Sequence, residues 1–200
     1  MGYYDPHPTL FLHRPVVVLG FMGAGQVATA MALGTMTGLN PVDLDARVSH
    51  SLGRDPRGGL PGGAQALRQV QLDVLEATLR DRPFGVVALP WDLLLDPRAR
   101  LLLQQRAFTC TIDRDLLTLY GRVLDELDRS PGRYPALGGL RPTSAHDLMP
   151  HLAPLRPFLA SADLVIAAGN LHPTTVAAEL ERHLRGLNEP DQPPRTFSPR

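Results

Sequence analysis

The stretch VVVLGFMGAGQV at residues 16–27 decides the fold of this chain. Its four apolar, mostly β-branched residues predict a buried strand, its glycines predict a turn, and the residues after the turn predict a helix. The glycines match the phosphate-binding pattern G-x-x-x-x-G-K-[ST], in which backbone N–H groups cradle an anion at a helix N-terminus. The candidate phosphate-binding residues are therefore Gly20, Gly23, Gly25 and Gln26.

The last two positions of this pattern have changed. Gln26 stands where the pattern has lysine, and Val27 stands where it has serine or threonine. The lysine neutralises the transferred phosphate and the hydroxyl ligates Mg²⁺, so two catalytic contributions are lost while the glycine turn is kept. Losing one preorganised stabilising donor typically costs about 10²–10³ in rate. An ordinary glycine-rich turn without a ligand is the alternative interpretation.

Composition narrows the function classes. The 200 residues carry 20 basic and 20 acidic side chains, and this balance excludes a generic basic nucleic-acid binder. Every basic residue is arginine, which excludes Schiff-base chemistry and a phosphate-loop lysine. A lone cysteine, Cys110, cannot form an internal disulfide, so a reducing, cytoplasmic setting is expected. No apolar run is long enough to predict a membrane span.

Short apolar runs alternate with helix-like segments, which predicts βαβ units and a parallel sheet. The predicted strands are Val16–Leu19, Pro41–Asp45, Gly85–Leu89, Phe108–Ile112 and Leu164–Ala168. The predicted helices are Gly25–Thr35, Ala46–Leu52, Ala64–Arg80, Asp115–Leu127 and Pro173–Leu187. We expect an N-terminal extension at 1–13, a single domain at 14–187 and a disordered, proline-rich tail at 188–200.

Two carboxylates close the second predicted strand. Asp43 and Asp45 alternate along it, so both are expected on one face at the carboxyl end, where α/β sheets bind ligands. Such a pair suits Mg²⁺ and the hydroxyl groups of a polyol. The alternative is that Asp45 merely caps the helix predicted over Ala46–Leu52.

The order and spacing of these blocks make the chain resemble the shikimate kinases. The resemblance runs from VVVLGFMGAG through PVDLDARVSHSLGR, ALRQVQLDVLEATL, VVALPWDLLLDPRARLLL and RYPAL to LAPLRPFLASADLVI, over residues 14–187. It implies an α/β three-layer sandwich with a five-stranded parallel sheet of the P-loop kinase type. It also implies transfer of the ATP γ-phosphate to the 3-hydroxyl of shikimate, with Mg²⁺ as the metal.

This resemblance also implies roles for single residues. Asp43 would support Mg²⁺, and Asp45 would hold the shikimate hydroxyls and aid deprotonation. Arg68 matches the arginine that binds the substrate carboxylate, and Arg133 matches the catalytic lid arginine. Arg156 lies just after the place of a second carboxylate-binding arginine and is a candidate substitute for it.

Other family positions have changed. Three glycines that let the backbone approach shikimate are replaced by Pro90-Trp91-Asp92, where proline removes an N–H and tryptophan either plugs the pocket or stacks on a ligand. The glutamate that steadies Arg68 is Gln71. The loop at 56–63 carries glycines and prolines in place of a helix-forming stretch, so a remodelled substrate subdomain is expected.

Together these losses favour a shikimate kinase-like protein that lacks efficient phosphoryl transfer and serves as a binding or regulatory module. Its expected partners are a small molecule such as shikimate or an analogue and a protein of the aromatic pathway, with no nucleic acid and no membrane. The alternative is a divergent active kinase that uses ATP and Mg²⁺, with Arg133 or Arg156 supplying the missing charge. A guanidinium that reaches the loop Gly20–Gly25 would favour this alternative. A third interpretation is a non-catalytic anion binder with a new ligand.

Overall fold

The fold is built on one five-stranded sheet. In a computed structural model, which describes residues 13–55, 62–81, 85–130, 134 and 137–187, all strands of this sheet run parallel. The strands are β1 (Val16–Leu19), β2 (Pro41–Asp43), β3 (Val86–Ala88), β4 (Phe108–Asp113) and β5 (Leu164–Ala167). Their order in the sheet is β2-β3-β1-β4-β5. The expected parallel α/β sheet is confirmed.

Helices cover both faces of the sheet and complete three layers. They are α1 (Gln26–Thr37), α2 (Leu44–Leu52), α3 (Gly63–Asp81), α4 (Pro97–Arg106), α5 (Leu116–Arg129), α6 (Met149–Leu152), α7 (Arg156–Ala160) and α8 (Pro173–Leu187), with 3-10 turns at Trp91–Leu95 and Ala145–Leu148. α1 packs on α8 and on β1, β2 and β3, whereas α4 contacts α3 and β4. Right-handed crossovers that run in opposite directions along a sheet lie on opposite faces, which accounts for this division.

Strand β1 lies at the centre of the sheet. Val16 aligns with Val86 of β3 on one side and with Phe108 of β4 on the other. Every side chain of β1 is fully buried, which explains its unbroken apolar run. Because the strand order reverses here, the loop after β1 opens onto the crevice where α/β sheets bind ligands.

Strand β2 is shorter than the sequence suggests. It ends at Asp43, because the Asp43 carboxylate accepts hydrogen bonds from the backbone N–H groups of Asp45 (3.0 Å) and Ala46 (3.4 Å) and so caps α2. The expectation that Asp45 extends the strand is wrong, and so is the alternative that Asp45 is the cap. Asp45 lies exposed in the first turn of α2, so strand alternation does not bring the two carboxylates to one face.

The sequence interpretation missed α4. Its start carries a strong signal, since the Asp96 carboxylate accepts a hydrogen bond from the Arg98 N–H at 2.8 Å and Pro97 occupies the first helical turn. The apolar run LLL on each side of this signal obscured it. The missed short helices α6 and α7 each have a proline in the first turn and are too short to show a helical period.

Several expectations fall on residues that the structure leaves undescribed. These are most of the N-terminal extension, the tail at 188–200 and most of the remodelled loop at 56–63, of which only Gly62 and Gly63 are described. Within the described ranges, no helix is both long and apolar enough to cross a bilayer.

Candidate functional site

The loop between β1 and α1 keeps the backbone shape of a phosphate cradle. Gly23 and Gly25 have φ angles of 75° and 90°, in the left-handed region that favours glycine. A Cβ on Gly20 would lie 2.6 Å from the Cβ of Ala24, so the turn closes too tightly for any side chain there. No side chain caps α1 at Gly25, and no acid lies in its first turn, so the helix N-terminus keeps its attraction for anions.

One N–H of this cradle is already occupied. The backbone N–H of Gly23 donates a buried hydrogen bond of 3.1 Å to the hydroxyl of Tyr134. The same hydroxyl donates to a carboxylate oxygen of Glu126 on α5. Tyr134 is 8% exposed, so the contact is shielded from water. An anion could use this N–H only by displacing Tyr134, and it would then approach the Glu126 carboxylate.

Gln26 does not take over the role of the missing lysine. Its Nε2 donates to the carbonyl oxygen of Gly20 at 2.8 Å, which closes the loop on itself. The neighbouring Val27 has no hydroxyl, and one Asp43 oxygen is engaged in capping α2. No group of three His, Cys, Asp or Glu side chains among the described residues could hold a metal ion. Mg²⁺ needs only one or two protein ligands, and of the two that the resemblance implies the hydroxyl is absent and the Asp43 carboxylate is partly used in the cap.

Two arginines that the sequence interpretation did not single out bind the loop. The Nε of Arg122 on α5 donates to the carbonyl oxygen of Gly23 at 2.6 Å. Its Nη2 would lie 3.1 Å from a Cβ on Gly25, so the guanidinium is beside the α1 N-terminus. This guanidinium belongs neither to Arg133, which lies outside the described residues, nor to Arg156. No pattern in the sequence marked Arg122, because a charged residue on the polar face of an amphipathic helix is ordinary.

Arg114 fixes the same loop from the end of β4. Its guanidinium donates to the carbonyl oxygens of Ala24 (3.0 Å), Leu171 (3.0 Å) and Gly169, which ties the loop to the segment before α8. Arg114 is only 5% exposed. Burial, and after it the nearby Arg122, lower the pKa of Arg114 from its ordinary value. The loop is thus held rigidly by two cations through its carbonyl groups.

The expected substrate side is also occupied by the chain itself. Nη2 of Arg68 pairs with the carboxylate of Asp92 at 3.3 Å, so an internal acid stands where a substrate carboxylate would bind. Trp91 is 8% exposed, and its ring packs edge-on against Phe21 with 5.3 Å between centroids. Trp91 therefore packs against the chain's own Phe21, and its role as a plug of the substrate pocket stays a prediction.

The predicted site residues are brought together only in part. Gly20, Gly23, Gly25 and Gln26 form one loop, as expected. Arg156 lies exposed at the start of α7 and lines a separate cavity that none of the other candidates lines. The other candidates that the structure describes belong to other elements. Asp43 caps α2, Asp45 lies in its first turn and Arg68 is paired with Asp92, while Arg133 falls outside the described residues.

This arrangement is an α/β fold of the P-loop kinase type, and comparison with solved structures agrees. The chain is similar to shikimate kinase from Acinetobacter baumannii in complex with shikimate, at 17% identity and a TM-score of 0.74, over 91% of this chain and 97% of that one. It is similar to shikimate kinase from Bacteroides thetaiotaomicron at 17% identity and a TM-score of 0.69, over 86% and 98%. It is also similar to a gluconokinase from Sinorhizobium meliloti at 19% identity and a TM-score of 0.58, over 90% and 99%.

The fold is therefore a shikimate kinase-like P-loop fold, shared with other small-molecule kinases. The expectation drawn from the sequence resemblance is confirmed at this level. At such low identities the similarity establishes the fold alone, and the chemistry of the loop depends on this chain's own residues. No protein-family model and no curated protein sequence matches it.

Proposed function

We propose that this protein is a shikimate kinase-like module that binds or regulates without efficient phosphoryl transfer. The observation that carries the proposal is the hydrogen bond from the Gly23 N–H to Tyr134, which fills part of the phosphate cradle from inside the chain. The Glu126 carboxylate holds the same hydroxyl, so an anion that uses this N–H has to displace a tyrosine that is fixed by two hydrogen bonds.

The loss of two catalytic groups supports the proposal. Gln26 is neutral and bonded to Gly20, and Val27 cannot ligate a metal. If each loss costs about 10²–10³ in rate, the two together reduce phosphoryl transfer by roughly 10⁴–10⁶. Arg114 and Arg122 donate through Nε to loop carbonyls, so part of their donor capacity is committed to structure.

The substrate side supports it independently. Binding a carboxylate at Arg68 would require breaking its pair with Asp92, and the buried Trp91 fills space beside Phe21. The shikimate bound to the Acinetobacter baumannii enzyme is therefore expected to bind this chain weakly, if it binds in the equivalent place. In place of shikimate itself, we propose a modified ligand or a protein partner from the aromatic pathway.

Phosphoryl transfer and nucleotide binding test the proposal together. Wild type should show no ATP-dependent phosphorylation of shikimate near the roughly 1–100 s⁻¹ of ordinary kinases, and ATP with Mg²⁺ should raise its melting temperature little. The double variant Gln26→Lys, Val27→Thr should gain ATP-dependent stabilisation. Ordinary kinase rates in the wild type would overturn the proposal. A regulatory role predicts, in addition, that the protein changes kcat/KM of an active shikimate kinase mixed with it.

A divergent active kinase is the second candidate, and the position of Arg122 favours it. Its guanidinium lies beside the N-terminus of α1, where it could replace the charge of the missing lysine. On this account Arg122→Gln abolishes a measurable phosphoryl transfer, whereas Arg129→Gln, at the far end of α5, leaves it unchanged. A wild type with no transfer to any small alcohol acceptor excludes this candidate.

A further inference from the structure

A cavity of about 420 Å³ lies beyond the phosphate loop, between the end of β4, the start of α5 and the helices α6 and α7. We call it the β4–α7 cavity. Its size falls in the range of small-molecule sites. Its apolar walls are provided by Phe21, Leu116, Leu119, Leu152, Leu159 and Val165. Of the candidate substrate residues only Arg156 lines it, so it is distinct from the site around Arg68.

The polar groups of this cavity are of two kinds. Arg114 and Asp115 line it but are committed elsewhere, Arg114 to three carbonyl groups and Asp115 to capping α5 through the Thr118 N–H. Asp113 and Arg156 also line it, and neither forms a hydrogen bond or an ion pair with another described side chain. One uncommitted anion and one uncommitted cation therefore face the same space.

A buried hydroxyl lies in the wall of this cavity. Thr111 lines the cavity and is 3% exposed, and its Oγ1 has no hydrogen-bond partner among the described residues. Native proteins rarely leave such a group unsatisfied, because its desolvation is unfavourable. The oxygen itself has almost no accessible surface, so the cavity's two uncommitted charges, and not this hydroxyl, define the ligand.

We propose that the β4–α7 cavity binds an apolar α-amino acid as its zwitterion. Arg156 pairs with the carboxylate, Asp113 pairs with the ammonium group, and the side chain packs along the leucines and Phe21. Guanidinium–carboxylate contacts are strong and directional, and opposite charges on one cavity select a molecule that carries both. Apart from Phe21, the proposal uses side chains outside the phosphate loop, so amino-acid binding can fail while the proposed function stands, and the reverse.

Calorimetric titration with matched ligands tests this proposal. L-phenylalanine and L-leucine should bind the full chain. The analogue 3-phenylpropionate lacks the ammonium group and 2-phenylethylamine lacks the carboxylate, so each should bind at least about tenfold more weakly than L-phenylalanine. Equal binding of either analogue overturns the zwitterion assignment. Absence of binding by both amino acids at about 10 mM overturns the site.

Variants locate the binding. Arg156→Gln and Asp113→Asn each weaken L-phenylalanine binding by about tenfold or more, while Arg129→Gln, distant from the cavity, leaves it unchanged. Both site residues are exposed, so folding should be preserved, and circular dichroism checks this. Methyl chemical shifts of Leu152 and Leu159 should move on titration. Wild-type affinity in both site variants contradicts the proposal, even if the amino acid binds elsewhere.

Discussion

The hydrogen bond between Tyr134 and the loop gives the most informative perturbation. Tyr134→Phe keeps the ring and removes only the hydroxyl. The Gly23 N–H then loses its acceptor in a buried place, and the Glu126 carboxylate loses a donor. One lost hydrogen bond is worth about 1 kcal/mol, and a buried group left unsatisfied costs about 1–3 kcal/mol. We therefore expect the free energy of unfolding to fall by about 2–3 kcal/mol.

Thermal and urea unfolding measure this change. For a chain of this size about 1 kcal/mol corresponds to roughly 2–4 °C, so the melting temperature of Tyr134→Phe should fall by about 5–10 °C. The urea midpoint should fall at an unchanged m-value. Tyr120→Phe is the matched control, because Tyr120 is half-buried on α5 and its hydroxyl forms no hydrogen bond with another described residue. It should change stability by less than about 0.5 kcal/mol.

The same variant tests whether Tyr134 blocks the cradle. With the hydroxyl gone, the Gly23 N–H becomes available to an anion, so inorganic pyrophosphate should stabilise Tyr134→Phe more than wild type. If Tyr134→Phe is as stable as Tyr120→Phe and responds to pyrophosphate as wild type does, the Tyr134 hydroxyl does not occupy the loop.

Three further predictions concern other contacts. Burial raises the pKa of the Cys110 thiol to about 12, so a thiol reagent at pH 8 should react only after unfolding; rapid native-state labelling would contradict this. Arg114→Gln should lower the free energy of unfolding by about 3 kcal/mol because three carbonyls lose a cationic donor, whereas Arg100→Gln should have little effect in the same urea titration. Backbone N–H groups of Thr143 and Ser144 lower the pKa of Asp147 in the folded state, so the Asp147 carboxylate stabilises the fold fully above its ordinary pKa near 3.8 and loses this effect as pH falls through the lower folded pKa. The loss of stability below about pH 4 should therefore be less steep in Asp147→Asn than in wild type. An unchanged pH profile would contradict the capping box at Ser144 and Asp147.

Local patterns were sufficient for most of the framework. The apolar runs predicted all five strands, and β1, which is covered on both faces, was placed without error. Glycines were recognisable in the loop because Gly23 and Gly25 have positive φ angles that exclude most other residues, and a side chain at Gly20 would clash with Ala24. The end of β2 was misplaced because a side-chain cap, Asp43, competes with strand continuation, and apolar periodicity does not report such a cap.

The sequence by itself determined that this is a P-loop-like α/β chain without the lysine and the hydroxyl of the phosphate-binding pattern, since those facts need only spacing and residue identity. It could not determine what fills the loop. Tyr134 and Gly23 are 111 residues apart, and Arg122 and Gly23 are 99 apart, so only tertiary packing brings α5 and Tyr134 to the loop. The tertiary structure decided that the cradle is occupied from within, because a buried N–H must find a partner and the nearest one is the chain's own hydroxyl.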